Sequence, residues 1–252
     1  MASPQQRFST DMGRVALFVA NEAQGMNASA LASVARQARS IGVDTLCVKR
    51  AEGTGRWYSS AAQIAEEYKA VTEAGCGYVP FTYMYGPRFG SNQVTGECQI
   101  LTELTDAIAA ARGGEGFVIA DMELEWNNQP WAAAQMREWM INKPGLLGVT
   151  TWADPDQQGW DQVVRELLPV VNSWIPQAYN NWLSNAVAEG QNLGELNIEP
   201  AIDLSQEFGA NDQIAIAQTA KARGESTIWL WEYTLTGAQR QLVQNLAGLM
   251  KR

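Results

Sequence analysis

The chain contains no histidine. That excludes every Ser-His-Asp or Cys-His nucleophile system, every histidine general base and every histidine-ligated metal site. Cysteine is scarce: three residues, at 47, 76 and 98, with no C-x-x-C spacing. They read as reduced, packed thiols rather than a disulfide framework. No apolar run approaches the ~20 residues of a membrane span, so no membrane insertion is expected. The first residues, MASPQQRFSTDMG, lack the apolar core of a secretory signal, and synthesis in the cytoplasm without a signal peptide is expected. Basic residues are outnumbered, 18 Lys+Arg against 27 Asp+Glu, for a formal net charge of −9. Such a surface does not track nucleic-acid phosphates, and no nucleic-acid partner is expected. Nor is it drawn to anionic membranes or anionic wall polymers.

What the chain has is alternation. Its 252 residues are 46% hydrophobic, enough for a large core. Residues 1–13 are polar and aperiodic and read as a flexible N-terminal arm. Beyond them, β-rich runs at 14–20, 44–50, 78–83, 116–122, 146–151, 173–179, 197–203 and 226–233 alternate with amphipathic helical stretches. A strand–helix unit about every 31 residues, repeated eight times, predicts a single (β/α)8 TIM-type barrel over residues 14–252. A doubly wound open sheet is the alternative. The first turn, NEAQGMN, has no G-x-G-x-x-G, so nothing points to a dinucleotide, and no cofactor is expected.

Active sites of such barrels lie at the C-terminal strand ends. The fourth run, FVIADMELEW, carries Asp121 and Glu123 on one face, about 6.5–7 Å apart along the strand. Glu125 joins them only if the chain stays extended. Two carboxylates that close in a dry mouth repel, so one holds a proton near neutral pH while the other stays ionised. Glycoside hydrolysis needs this division: an acid for the leaving oxygen and an anion beside the developing cation. A divalent-metal site is the lesser functional reading, because no third carboxylate is firmly placed; no metal is assigned. Other strand ends supply groups suited to a sugar. Lys49 and Glu52 follow the second run. Gln177, Tyr179 and Trp182 follow the sixth. Asp203 ends the seventh, and Trp231 lies in the eighth. The chain has ten Trp, and Trp126 also falls at a strand end. Flat aromatic faces beside amides suit pyranose rings, so a polysaccharide substrate is expected.

These segments resemble, in order, the family 25 glycoside hydrolases, the muramidase-type lysozymes of bacteria and phages. Gln24-Gly25 resembles that family's Q-G. Val48 to Thr54 (VKRAEGT) resembles its second-strand K-A-x-E-G-T. Asp121-Met122-Glu123 resembles its D-x-E, Ile175–Tyr179 its sixth strand, and Trp231-Glu232-Tyr233-Thr234 its W-Q-Y-T. The resemblance implies a (β/α)8-like barrel that cleaves the β-1,4 bond after N-acetylmuramic acid. It implies Glu123 as proton donor, and Asp121 as the anion that steadies the positive centre or orients the N-acetyl group. Tyr179 would hydrogen-bond near that centre and Trp231 would floor the sugar subsite. It also implies release by lysis or carriage in a virion. The pattern is incomplete. The family's strand-one Asp falls on Val19, its Tyr-His on FTYMYG, and its Asp after the eighth strand on TLTGAQRQL, which has none. A catalytically inactive glycan-binding or structural barrel, such as a virion or wall-associated component, is therefore the second hypothesis. A barrel for a phosphorylated substrate is the third. It is disfavoured because LSQEFGAN and YTLTGAQ offer no Gly-rich phosphate cradle.

Overall fold

The computed structural model describes residues 14–143, 145–152, 160–178, 197–204, 210–225, 227–231 and 235–251. The β-branched and apolar runs form strands buried on both faces, as a parallel sheet covered by helices requires. In chain order they are β1 (Val15–Val19), β2 (Thr45–Glu52), β3 (Gly55–Arg56), β4 (Gly77–Met84), β5 (Phe117–Met122), β6 (Leu146–Trp152), β7 (Val171–Gln177), β8 (Asn197–Ile198), β9 (Ala201–Asp203) and β10 (Ile228–Trp231). Eight of them, β1, β2, β4, β5, β6, β7, β9 and β10, run parallel in that order. β1 pairs with β10 on one side (Val15 opposite Ile228) and with β2 on the other (Ala16 opposite Thr45), so the sheet closes. The fold is a single (β/α)8 barrel.

Helices α1 (Ala28–Ser40), α2 (Ala61–Glu73), α3 (Ser91–Arg112), α4 (Pro130–Met140), α5 (Trp160–Leu167), α6 (Ala210–Ala222) and α7 (Gly237–Met250) link the strands. Their starts follow from local chemistry. Asn27 accepts a hydrogen bond from the Ala30 amide at 3.0 Å, and Thr236 with Gln239 forms a reciprocal capping box on α7. The helices turn apolar stripes inward, such as Leu31, Val34, Ala35 and Ala38 on α1, and Val243, Leu246, Ala247 and Met250 on α7.

The structure departs from the sequence expectation in places. The sixth barrel strand ends at Gln177, so Tyr179 lies beyond it, outside the described residues, as do Trp182 and the arm 1–13. The seventh strand is split into β8 and β9 around Glu199-Pro200, where proline has no N–H to donate. The third helix starts earlier than its apolar stripe, at Ser91. The short hairpin of β3 on β2 was not foreseen.

Aromatic rings fill the barrel. Phe18 of β1 meets Phe81 of β4 edge-on at 5.2 Å, Trp229 at 5.6 Å and Trp231 at 4.6 Å. Glu199 is also inside, fully buried, accepting from Trp229 Nε1 at 3.0 Å and Ser173 Oγ at 3.2 Å. Outside the barrel wall, Arg50 of β2 and Glu67 of α2 form an ion pair at 2.8 Å in which both side chains are entirely buried. Tyr78 Oη donates to Glu67 at 2.7 Å, Gln63 donates to its other oxygen at 2.8 Å, and Arg50 Nη1 donates to the Ala23 carbonyl at 2.9 Å.

Candidate active site

β5 delivers Asp121 at its C-terminal end, and Glu123 caps the 3-10 turn Leu124–Trp126 that follows. β7 brings Gln177 across the mouth. Its side-chain amide Nε2 lies 3.2 Å from Glu123 Oε1 and 3.5 Å from Asp121 Oδ1, so one donor faces both carboxylates. Asp121 is buried and Glu123 is half-buried. Burial, helped by the neighbouring Glu123 charge, pushes the Asp121 carboxyl well above the usual range, and Lys49 only partly offsets this. Protonation is thus favoured on the buried member of the pair.

The chain does not stay extended after Glu123, so Glu125 does not share the pair's face. The 3-10 turn swings it toward β4, where its Oε2 accepts from Tyr83 Oη at 3.2 Å and its Oε1 lies 3.4 Å from Arg88 Nη1. Tyr83 is thereby tied into the acidic cluster. Burial first, then the charges of Glu123 and Glu125, push its phenol far up, so it keeps its hydroxyl proton and donates to Glu125. Sequence reasoning did not assign Tyr83 a role. The signal was available: Phe81, Tyr83 and Tyr85 alternate in FTYMYG and so share one face of the strand and its extension.

Lys49 and Glu52 lie beside the pair but bind each other. Lys49 Nζ donates to Glu52 Oε2 at 2.8 Å and contacts Asn21 Oδ1 at 3.4 Å. It also lies over the Trp57 ring at 4.8 Å and the Tyr83 ring at 5.3 Å. Its side chain is only 8% exposed, which keeps this cation close to Asp121 rather than in solvent. Glu52 also accepts from Tyr85 Oη, and the two partners hold its carboxyl below the ordinary value. Asp203 is buried at the end of β9 in register with Trp231, which is half-buried against Phe18 and Phe81. Trp126 corrects the expectation. It is fully buried, and its indole Nε1 donates to the Met84 carbonyl at 3.0 Å. A ring without solvent-exposed surface cannot stack on a sugar; Trp126 instead supports the turn after β4. Gly86 rests directly on it with φ +52°, and a Cβ there would come within 2.4 Å of the ring.

That turn is held from below as well. Glu97 of α3 accepts from the Tyr85 amide at 2.8 Å, the Gly86 amide at 2.9 Å and Gln93 Nε2 at 2.8 Å. Burial outweighs these hydrogen bonds and pushes its carboxyl from 4.5 up to about 7. The folded protein thus binds this proton more tightly than the unfolded chain, and stability falls as pH rises from about 4.5 through about 7. Denaturant unfolding at pH 5 and pH 7.5 should show the parent losing stability relative to Glu97→Gln over that interval. A constant difference would remove Glu97 as the source.

Among the described residues no cluster of three or more Cys, Asp and Glu is arranged to hold a metal ion. Among them, too, no helix is long and apolar enough to cross a membrane.

No protein-family model matches the chain, and no curated protein sequence matches it. Solved structures do. A β-mannanase from Streptomyces thermolilacinus, determined with mannohexaose, is similar with a TM-score of 0.63 at 12% identity, over 90% of this chain and 80% of that one. The catalytic domain of a mannanase from Streptomyces sp. SirexAA-E gives 0.60 at 12%, over 88% and 82%. A truncated 3-deoxy-D-arabino-heptulosonate 7-phosphate synthase from Thermotoga maritima gives 0.52 at 12%, over 95% and 85%. At such identities the likeness is one of fold, and barrels host many chemistries. The chain has the TIM-barrel fold on which glycoside hydrolases, among other enzymes, are built.

Proposed function

We propose that the chain is a glycoside hydrolase that cleaves β-1,4 bonds in an N-acetylated cell-wall glycan of the peptidoglycan type. Glu123 is the proton donor and Asp121 assists. One observation carries the reading: Gln177 Nε2 faces Asp121 and Glu123 together at the C-terminal mouth of the barrel. The family 25 resemblance of VKRAEGT and Asp121-Met-Glu123 supports the muramidase specificity; the mannanase neighbours support the fold of a sugar-cleaving barrel without choosing the sugar.

Burial of Asp121, with the Glu123 charge beside it, favours the pair's proton on Asp121. A glycan over the mouth strips water from Glu123, and the proton redistributes toward it. Glu123 then protonates the glycosidic oxygen as the bond to the anomeric carbon breaks. The bonding electrons leave with that oxygen, and positive charge builds on the sugar beside Asp121. Water adds its hydroxyl to the anomeric carbon and returns a proton to the pair. Tyr179 belongs to the same reading through the resemblance, as hydrogen-bond partner near the positive centre, and Trp182 through its place after the sixth run, as a sugar contact. The test is release of reducing ends from peptidoglycan, chitin and β-mannan. Release from peptidoglycan that vanishes in Glu123→Gln supports the assignment; release that survives the substitution removes it.

A second reading, a non-catalytic glycan-binding barrel, is favoured by the end of β1. Phe18 and Val19 are fully buried there, and Phe18 packs among the interior rings, so β1 contributes no carboxylate. This reading expects retention on a glycan with no reducing ends from any of the three polymers.

A further inference from the structure

Burying apolar surface is the main driving force of folding, so large apolar side chains left in water call for a reason when they gather in one place. Among the described residues four are exposed: Phe89 (63%), Leu124 (53%), Trp131 (47%) and Ile141 (56%). Ile141 follows the C-terminal end of α4, at the far end of the barrel. The other three sit on the segments that leave the C-terminal ends of β4 and β5, beside the carboxylates. Phe89 ends the turn Gly86–Phe89, Leu124 opens the turn Leu124–Trp126, and Trp131 lies in the first turn of α4. The two turns pack against each other.

A line of rings joins this patch to the acidic cluster. Tyr83, hydrogen-bonded to Glu125, meets Tyr85 at 5.4 Å, and Tyr85 meets Phe89 at 5.8 Å, both edge-on. Polar groups border it. Arg88 lies 5.4 Å over the Phe89 ring while reaching Glu125, and the Trp131 indole donates to Gln129 at 2.7 Å. The support is rigid: Glu97 fixes the amides of Tyr85 and Gly86, and buried Trp126 lies beneath Gly86. Exposed aromatic faces with hydrogen-bonding side chains at their edges, continuous with a carboxylate pair, match a sugar chain. Its rings offer C–H faces to the aromatics and hydroxyl or acetamido groups to Arg88 and Gln129.

We infer that the turns after β4 and β5 form a polysaccharide-binding platform, on which several sugar units beyond the cleaved bond lie across Phe89, Leu124 and Trp131. The inference rests on the glycan reading of the carboxylate pair. It makes the substrate a long chain gripped in its interior, not a short oligosaccharide held only at the mouth.

The test separates binding from turnover. In the Glu123→Gln background, retention on insoluble peptidoglycan and on chitin is measured for the otherwise unchanged chain, for Phe89→Ala/Trp131→Ala, and for Ile141→Ala as an apolar control at the opposite end. A thermal melt confirms that each variant is folded. The expected result is that the double variant binds about tenfold or more weakly while Ile141→Ala binds as before. Equal retention of all three, or none retained by the chain with only Glu123→Gln, overturns the platform. A patch that instead captures a protein partner gives this last outcome. Reducing-end release by the parent is scored separately. Release with an unaltered double variant leaves the hydrolase reading standing and removes the platform; retention lost in the double variant, with no release by the parent, does the reverse.

Discussion

Replacing Glu123 by Gln lowers turnover on the cleaved glycan by about 10²–10⁴-fold, the range a positioned general acid supplies. The fold stays intact, because the side chain is half-buried and near-isosteric and the Gln177 amide keeps an oxygen to face. Initial rates of reducing-end release, with a thermal melt as control, decide it. A loss of both activity and melting temperature would mean a structural role. Asp121→Asn separates the two carboxylates further. Its amide cannot store the shared proton, so turnover also falls. Stability moves the other way with pH. The folded-state carboxyl of Asp121 lies above its ordinary 3.8, so folding favours the protonated form. As pH rises above about 4 the parent therefore loses stability relative to Asp121→Asn, until the folded-state value is passed. Paired urea titrations from pH 4 to pH 8 check the sign; a parent that gains on the variant with rising pH would contradict a protonated Asp121.

Replacing Arg50 by Met destabilises the protein by about 3–5 kcal/mol, because it leaves the Glu67 carboxylate buried without its cation. Both side chains are wholly buried, so water cannot substitute for the lost partner. Against a typical total of about 5–15 kcal/mol, that is enough to unfold much of the population on mild heating. Arg50→Met/Glu67→Leu recovers most of the loss, since an apolar pair has no charge to desolvate. It stays somewhat below the parent, by about 1–3 kcal/mol, because the Tyr78 hydroxyl loses its acceptor. Urea unfolding of the two single variants and the double completes a cycle whose coupling energy should be large and favourable. The contrast is the exposed Arg56–Glu103 pair, whose side chains are 40% and 45% exposed. Its geometry is two-pronged, yet solvent screening leaves such a pair worth about 0–1 kcal/mol.

The barrel was legible because its cause is local and repeated. Eight apolar runs of strand length, each followed by an amphipathic helix, leave a closed parallel sheet as the economical way to cover both strand faces. At the end of β5, the period of two put Asp121 and Glu123 together from the sequence alone, although β5 itself ends at Met122. Elements that depend on one residue's backbone were less legible. Pro200 splits the seventh strand, and the 3-10 turn after Glu123 sends Glu125 to Tyr83 instead of along the strand.

The sequence by itself excluded histidine chemistry, set the strand–helix rhythm and named the carboxylate pair. These follow from composition and periodicity, which need no knowledge of what lies across space. Only the tertiary structure decided who faces whom. It brought Gln177, 54 residues from Glu123 along the chain, to a point between the two acids. It buried Trp126 under Gly86, and it left Phe89 and Trp131 in solvent beside the mouth. The physical reason is that closing the barrel juxtaposes strand ends far apart in sequence. Burial, which sets both the Asp121 proton and the fate of each tryptophan, is a property of that closure and not of any residue's neighbours in the chain.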